Sequence, residues 1–248
     1  MRRLIDKRSA RQADAVFVAE GATLLREALA AGIVPESVFV APGADASLVD
    51  AAVAAGTEVY ELAAGVMESV ADAVTPQPVC AVVPFLATSL DALPGDGVVV
   101  VAVDVRDPGN AGTLVRAAAA SGARGVVFCD GCVELYNPKT VRATAGALFR
   151  LPVVTSVTVD AALTALGAAG RRRLAAVAHR GEDYTTVDLT APVALVVGNE
   201  AHGLPASLAG IDGNITIPMP GATESLNVGV ATAVLCFEAA RQARVAVS

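Results

Sequence analysis

At 248 residues the chain suits one large α/β domain, or a small domain joined to a medium one. Hydrophobic residues make up 54% of it and the mean hydropathy is +0.57, which excludes disorder as the default. The longest valine run, Val98 to Val101 extended to Val103, is far short of the about 20 apolar residues a membrane-spanning helix needs. The formal net charge of −7 excludes nucleic-acid binding by overall charge alone.

The start of the chain is charged. Arg2, Arg3, Lys7, Arg8 and Arg11 crowd it, opposed there by Asp6, and it lacks the apolar stretch of a signal peptide, so a cytoplasmic location is the expectation. From Phe17 to Val83 strands alternate with helices. Phe17-Val18 predicts a strand, Thr23 to Ala31 an amphipathic helix ended by Gly32, and Val38 to Val40 a short strand. Ser47 to Ala55 is a second helix closed by Gly56, and Glu58 to Tyr60 a further strand. Residues 86–97, with Ser89, Pro94, Gly95 and Gly97, read as a linker between a domain at 1–85 and another at 98–248.

The second domain reads as α/β. Val98 to Asp104 is a strand buried on both faces, and a helix follows from about Gly112 to Ser121. Later strands are Gly125 to Phe128, Leu174 to Ala178, Ala194 to Val197 and Ile215 to Ile217, before a long helix from Leu226 to about Ala243. Strands alternating with helices imply a largely parallel sheet with ligand loops at the strand C-termini. Arg171, Arg172 and Arg173 form a second basic cluster, either a solvated face or a nucleic-acid contact. Cys129 and Cys132 form a Cys-x-x-Cys, but Cys80 and Cys236 stand alone, so no zinc ligand set is visible and ordinary thiols are expected.

Three loops carry candidate chemistry. The first, Asp104 to Arg116, leaves a buried strand and opens a helix, where backbone N–H groups can cradle an anion. Asn110 is either a helix N-cap or a functional amide. Arg116, placed near the start of a helix, opposes the macrodipole by a few tenths to about 1 kcal/mol, which suggests that something else holds it there. The second, Leu195 to Leu204, carries Glu200 between Gly198 and Gly203, either a first-turn acid or a site residue. His202 and His179 read as loop residues rather than ligands. The third, Ile217 to Ala231, holds Ser225, an N-cap candidate for the last helix, and Asn227 in that helix's first turn. Gly229 inside the helix costs about 1 kcal/mol relative to alanine, which points to close backbone packing or a tightly held ligand.

Taken together, these segments resemble the three ordered motifs of the SpoU/TrmH family of RNA 2′-O-ribose methyltransferases in the SPOUT superfamily. Asn110 and Arg116 fit the first, Gly198, Glu200 and Gly203 the second, and Ile217-Pro-Met219 with Ser225-Leu-Asn-Val228 the third. Tyr136 to Arg142, continuing to Gly146-Ala-Leu-Phe149, looks like the segment between motifs one and two. Phe17 to Gly21 resembles the opening of the family's small, ribosomal-protein-like substrate-binding domain. Ala117 stands where a hydroxyl residue is usual, Thr144 where serine is common, and Gly229 where the family often has serine.

The resemblance implies a parallel-sheet SPOUT domain with a C-terminal trefoil knot, preceded by the small substrate-binding domain. It implies S-adenosylmethionine as cofactor, held near Leu195, Gly198, Ile217, Met219 and Leu226, and a homodimer in which Arg116 reaches the neighbouring subunit's cofactor. RNA is the implied partner, rRNA ahead of tRNA, with Lys139, Arg142, Arg8 and Arg11 as contacts and no membrane or metal involved. A guanidinium is a poor base, so Arg116 is expected to clamp RNA phosphate and stabilise a developing alkoxide. Asn110, Ser225 and Asn227 would orient the ribose and the motif loops, and Glu200 would fix the first-loop arginine or its surroundings. The rival readings are a ribosomal-protein-like RNA-binding module without catalysis and a nucleotide-dependent α/β enzyme.

Overall fold

The computed structural model describes residues 1–70, 76–86, 88–199, 202–205 and 208–246. Two compact units emerge: Met1–Leu86 with Glu134–Arg150, and Ala87–Val133 with Leu151–Ser248.

The first unit begins with two helices that the sequence analysis left unassigned, α1 (Arg2–Asp6) and α2 (Arg8–Asp14). The order continues β1 (Val16–Glu20), α3 (Ala22–Ala30), β2 (Ser37–Val40), α4 (Ala46–Ala54), β3 (Glu58–Glu61), α5 (Val66–Val70) and β4 (Val79–Pro84). Four strands form one sheet in the order β1-β4-β2-β3, with β4 antiparallel to both neighbours and β2 parallel to β3. Asp45 caps α4 by accepting from Ser47 N at 3.0 Å, the local reason that helix begins where it does. Alternation along β1 sends Val16 and Val18 to a core shared with Leu4, Ile5, Met67 and Cys80.

Phe17 stacks on Tyr136 at 4.8 Å between ring centroids and packs on Phe149 at 6.2 Å, while Phe85 stacks on Tyr136 at 4.0 Å. Tyr136 and Phe149 come from residues 134–150, which the sequence analysis placed inside the 98–248 domain. Their aromatic rings find their apolar partners in the first unit, and the Arg11–Glu134 pair adds a charged tie, so that segment packs there instead.

The second unit opens with β5 (Val98–Ala102), α6 (Pro108–Ser121) and β6 (Gly125–Cys129), after which the chain supplies α7 (Pro138–Ala143) to the first unit. It resumes with β7 (Val153–Val157), α8 (Val159–Ala168), β8 (Arg172–Ala176), β9 (Glu182–Asp183), β10 (Val193–Val197), β11 (Gly213–Thr216) and α9 (Val228–Ala246). Seven strands lie in the order β7-β6-β5-β10-β8-β11-β9, every pair parallel. This is the mixed α/β architecture with a parallel sheet that the sequence led us to expect. The central strands β5 and β10 are buried throughout, which is why they read as unbroken valine-rich runs.

Residues 94–97 are pinned rather than free. The Arg171 guanidinium, 3% exposed, donates to the backbone carbonyls of Gly97 at 2.5 Å, Asp96 at 2.8 Å and Pro94. Arg172 donates to Asp188 O at 2.7 Å, and Arg173 makes a fork with Asp212 at 2.8 and 2.9 Å. The basic run is therefore committed to protein acceptors, an outcome neither of its sequence readings anticipated. Among the described residues no helix is long and apolar enough to cross a membrane.

Candidate active site

The three loops after β5, β10 and β11 supply the site. After β5, Asp107 Oδ1 accepts from Asn110 N at 2.8 Å and Pro108 occupies the first helical position, where its missing N–H costs nothing. Helix α6 therefore starts one turn earlier than expected. This corrects two readings. Asp107, not Asn110, is the N-cap, and Arg116 lies well past the first turn, where the macrodipole penalty used to single it out has faded. Arg116 is exposed on α6.

The turn after β10 closes on itself. Gly203 N donates to Asn199 O at 2.8 Å, and a Cβ on Gly198 would come within 2.6 Å of Gly203 O, so only glycine fits. The Asn199 side chain ties this turn to the first loop, donating from Nδ2 to Asp104 O at 3.1 Å. Glu200 lies outside the described residues.

The third loop runs into α9, whose first helical residue is Val228. Here the N-cap reading of Ser225 is corrected: Asn227 Oδ1 accepts from Gly229 N at 2.9 Å and Val230 N at 3.2 Å. The same side chain donates from Nδ2 to Asn110 Oδ1 at 2.7 Å, so the first and third loops meet through two amides. Gly229 is explained by packing. A Cβ there would lie 2.7 Å from Thr113 Cγ2, because α9 lies close against α6.

A cavity of about 380 Å³ opens among the second and third loops and the segment after β8. Val177, Ile217, Leu226 and Leu235 give it apolar walls, and His179, Asn199, His202, Glu224 and Ser225 add polar groups. That size, with apolar walls and a few fixed polar groups, suits a small organic ligand. Of the expected cofactor contacts, Gly198, Ile217, Met219 and Leu226 line the cavity. Leu195 does not; 1% exposed in the middle of β10, its side chain belongs to the sheet core. Both histidines that the sequence reading set aside are in the wall. Glu224 and Asn199 were missed as well, since neither carries a spacing signal apart from its motif.

Among the expected RNA contacts, Arg8 and Lys139 are exposed. Arg142 donates to Glu20 Oε2 at 2.9 Å and is partly exposed. Arg11 is corrected: 3% exposed, it forks onto Glu134 at 2.8 and 2.5 Å and donates to Leu4 O and Ile5 O, the carbonyl end of α1. Cys80, Cys129 and Cys236 are buried, and Cys132 is half-buried. Burial pushes Cys129 up to about 12, and Cys132 N donates to Cys129 O at 3.1 Å in a tight turn. Among the described residues no cluster of three or more His, Cys, Asp or Glu could hold a metal ion.

A fully parallel sheet, glycine-shaped turns at its strand ends and a polar-edged apolar cavity define an α/β protein built to hold a nucleoside-sized ligand. The family model of the SpoU rRNA methylases matches residues 97–237, and that of the MRM3-like substrate binding domain matches residues 1–81. The chain belongs to the SpoU rRNA methylase family. It is 33% identical to the 23S rRNA (guanosine(2553)-2′-O)-methyltransferase RlmP of Bacillus subtilis, over 89% of this chain and 87% of that one. It superposes with a TM-score of 0.86 and 33% identity on the S-adenosylmethionine-bound rRNA methyltransferase of Sinorhizobium meliloti, covering 97% and 92% of the two chains. The cofactor-bound SpoU methyltransferase AviRb of Streptomyces viridochromogenes gives a TM-score of 0.87 at 28% identity, covering 98% and 96%. The protein is an S-adenosylmethionine-dependent methyltransferase.

Proposed function

We propose that the protein methylates a ribose 2′-hydroxyl of 23S rRNA, acting as a homodimer in the cytoplasm. The observation that carries this reading is the Asn110–Asn227 contact, which joins the first and third loops while the third also walls the cavity. A ribosomal-protein-like module that had lost catalysis would need Asn227 to cap α9 but not its link to Asn110.

Gly198, Ile217, Met219 and Leu226 would hold S-adenosylmethionine, which supplies an electrophilic methyl group when bound. Glu224 puts a carboxylate in the same wall, suited to a cationic ligand. Asn110 and Asn227 fix each other and present polar edges to a ribose. Holding the acceptor oxygen in line can lower the barrier by several kcal/mol, about 7–11 in ideal cases. Arg116, permanently charged, clamps the adjoining phosphate and stabilises the oxygen as it loses its proton to phosphate or water.

The dimer brings Arg116 of one subunit to the other's cofactor. Val230 and Phe237, each 47% exposed and seven positions apart on α9, give that helix an apolar outer edge consistent with a partner. The strand order supports a trefoil knot: the chain leaves β10, passes β8 to reach β11, and returns as α9 against α6 and β5. The first unit selects the RNA through exposed cations such as Arg8 and Lys139.

The test is transfer of radiolabelled methyl from S-adenosylmethionine to protein-free ribosomal RNA, followed by alkaline hydrolysis. A 2′-O-methyl group blocks cleavage at its own phosphodiester, so the label should appear in an alkali-resistant dinucleotide. Label on a base, or an unlabelled ribosomal RNA beside a tRNA that takes up label in a parallel reaction, overturns the proposal.

A further inference from the structure

Asp104 follows β5 with a φ of 55°, in the left-handed region where a residue with a Cβ is disfavoured, though aspartate tolerates it better than most. Its carbonyl and carboxylate oxygens are engaged. The backbone carbonyl accepts from Asn199 Nδ2 at 3.1 Å, Oδ2 lies 3.4 Å from the same nitrogen, and Oδ1 accepts from Arg106 Nε at 2.7 Å. Asn199 is itself steadied from the far side, where its Oδ1 accepts from His202 N at 3.2 Å. Asn199, at the cavity wall, thus holds Asp104, and Asp104 holds the root of the Arg106 guanidinium.

Arg106 was not singled out in the sequence, since it precedes both motif positions of the first loop, Asn110 and Arg116. Its side chain is 74% exposed, and among the described residues its two terminal nitrogens have no protein partner. It precedes Asp107, whose carboxylate is occupied in capping α6, and so stands beside the turn that carries Asn110. A guanidinium anchored through Nε, with no partner for either Nη group among the described residues, matches two oxygens of one phosphate. The net charge of −7 gives RNA no general attraction, so phosphate contacts near the site must come from such individually placed cations.

We propose that Arg106, held in place by Asp104, binds an RNA phosphate next to the target ribose and helps set substrate affinity. This rests on the reading that RNA reaches the α6 turn carrying Asn110.

The test compares Arg106→Ala, Arg106→Lys and Asp104→Asn in the full-length protein. It reads S-adenosylmethionine affinity by calorimetry, RNA affinity across a salt series, and kcat and KM for RNA. Arg106→Ala should raise the RNA Kd and KM about five- to tenfold, with cofactor affinity and kcat unchanged. Its log–log salt slope should fall by roughly 0.7–0.9, the loss of one phosphate contact. Arg106→Lys should keep the slope and recover part of the affinity. Asp104→Asn tolerates the same backbone and should keep the slope while raising KM, the mark of a misplaced rather than missing cation. Unchanged RNA affinity and slope in Arg106→Ala, with a shift in melting temperature alone, would reduce the pair to a surface ion pair and overturn the proposal. The salt series reads binding, so it remains decisive even if the wild-type protein binds RNA without methylating it.

Discussion

Asn227 uses one side chain for two tasks: its Oδ1 caps α9, and its Nδ2 donates to Asn110 Oδ1 at 2.7 Å. Asn227→Asp keeps the capping acceptor, adds a charge that a helix N-terminus favours, and removes the donor. Urea unfolding of this variant should match wild type, while methyl transfer falls at least about tenfold as the two loops lose their link. Asn227→Ala should lose both functions and about 1 kcal/mol of stability. An aspartate variant with full turnover would confine Asn227 to capping.

Much of this arrangement was legible from periodicity. The buried valine strands, the parallel order they imply and the loop positions follow from burial on two faces. The helix starts were misread for a local reason. Asp107 and Asn227 compete with Asn110 and Ser225 as caps within a few residues, and only the backbone settles which carbonyl starts the ladder. Residues 134–150 were misassigned because chain order carries no information about where Tyr136 and Phe149 find Phe17. A truncation near residue 87, the division the sequence suggests, would strand that segment without its core partners. Asn199 and the two histidines became visible only once the fold placed them around one cavity.

Arg8 and Arg11 are near neighbours with opposite fates. Arg11 is buried against Glu134, so Arg11→Ala leaves a carboxylate and two helix-end carbonyls without their donor. Breaking a buried pair in this way costs about 3–5 kcal/mol. We expect a lowered unfolding midpoint for Arg11→Ala, and a partial return in Arg11→Met with Glu134→Leu. Arg8→Ala should leave the midpoint unchanged and weaken RNA binding severalfold with a shallower salt slope. Equal stability losses at the two positions would count against this division.

Alkali offers a test of the core. Burial pushes the thiols of Cys80, Cys129 and Cys236 up to about 12, and the Tyr136 hydroxyl likewise to about 12. In the unfolded chain the thiols ionise near their ordinary value, so the folded state holds more protons in between. Their contribution is fully present below about pH 9 and is lost as pH rises toward 12. The urea midpoint should therefore hold steady to about pH 9 and decline beyond it, less steeply in Cys129→Ala. A midpoint flat to pH 11 would mean that these thiols titrate as if exposed.

The reaction itself can be probed from both sides of the acceptor oxygen. If that oxygen is a ribose 2′-hydroxyl, RNA with a single 2′-deoxy nucleotide at the target should bind almost normally and accept no methyl group. Phosphates supply most of the affinity, and the missing oxygen serves only the chemistry. Arg116→Ala should act similarly on the protein. Arg116 lies exposed on α6 and is absent from the cavity wall, so cofactor affinity should survive its loss. Turnover should fall about 10²-fold or more, the usual result of removing a group that stabilises charge as it develops. Arg116→Lys should recover little, because a point charge cannot reproduce the planar fork on phosphate. Single-turnover methyl transfer at saturating RNA separates these effects from binding. Methylation of the deoxy substrate would move the target to the base, and normal turnover in Arg116→Ala would shift the developing charge to another partner.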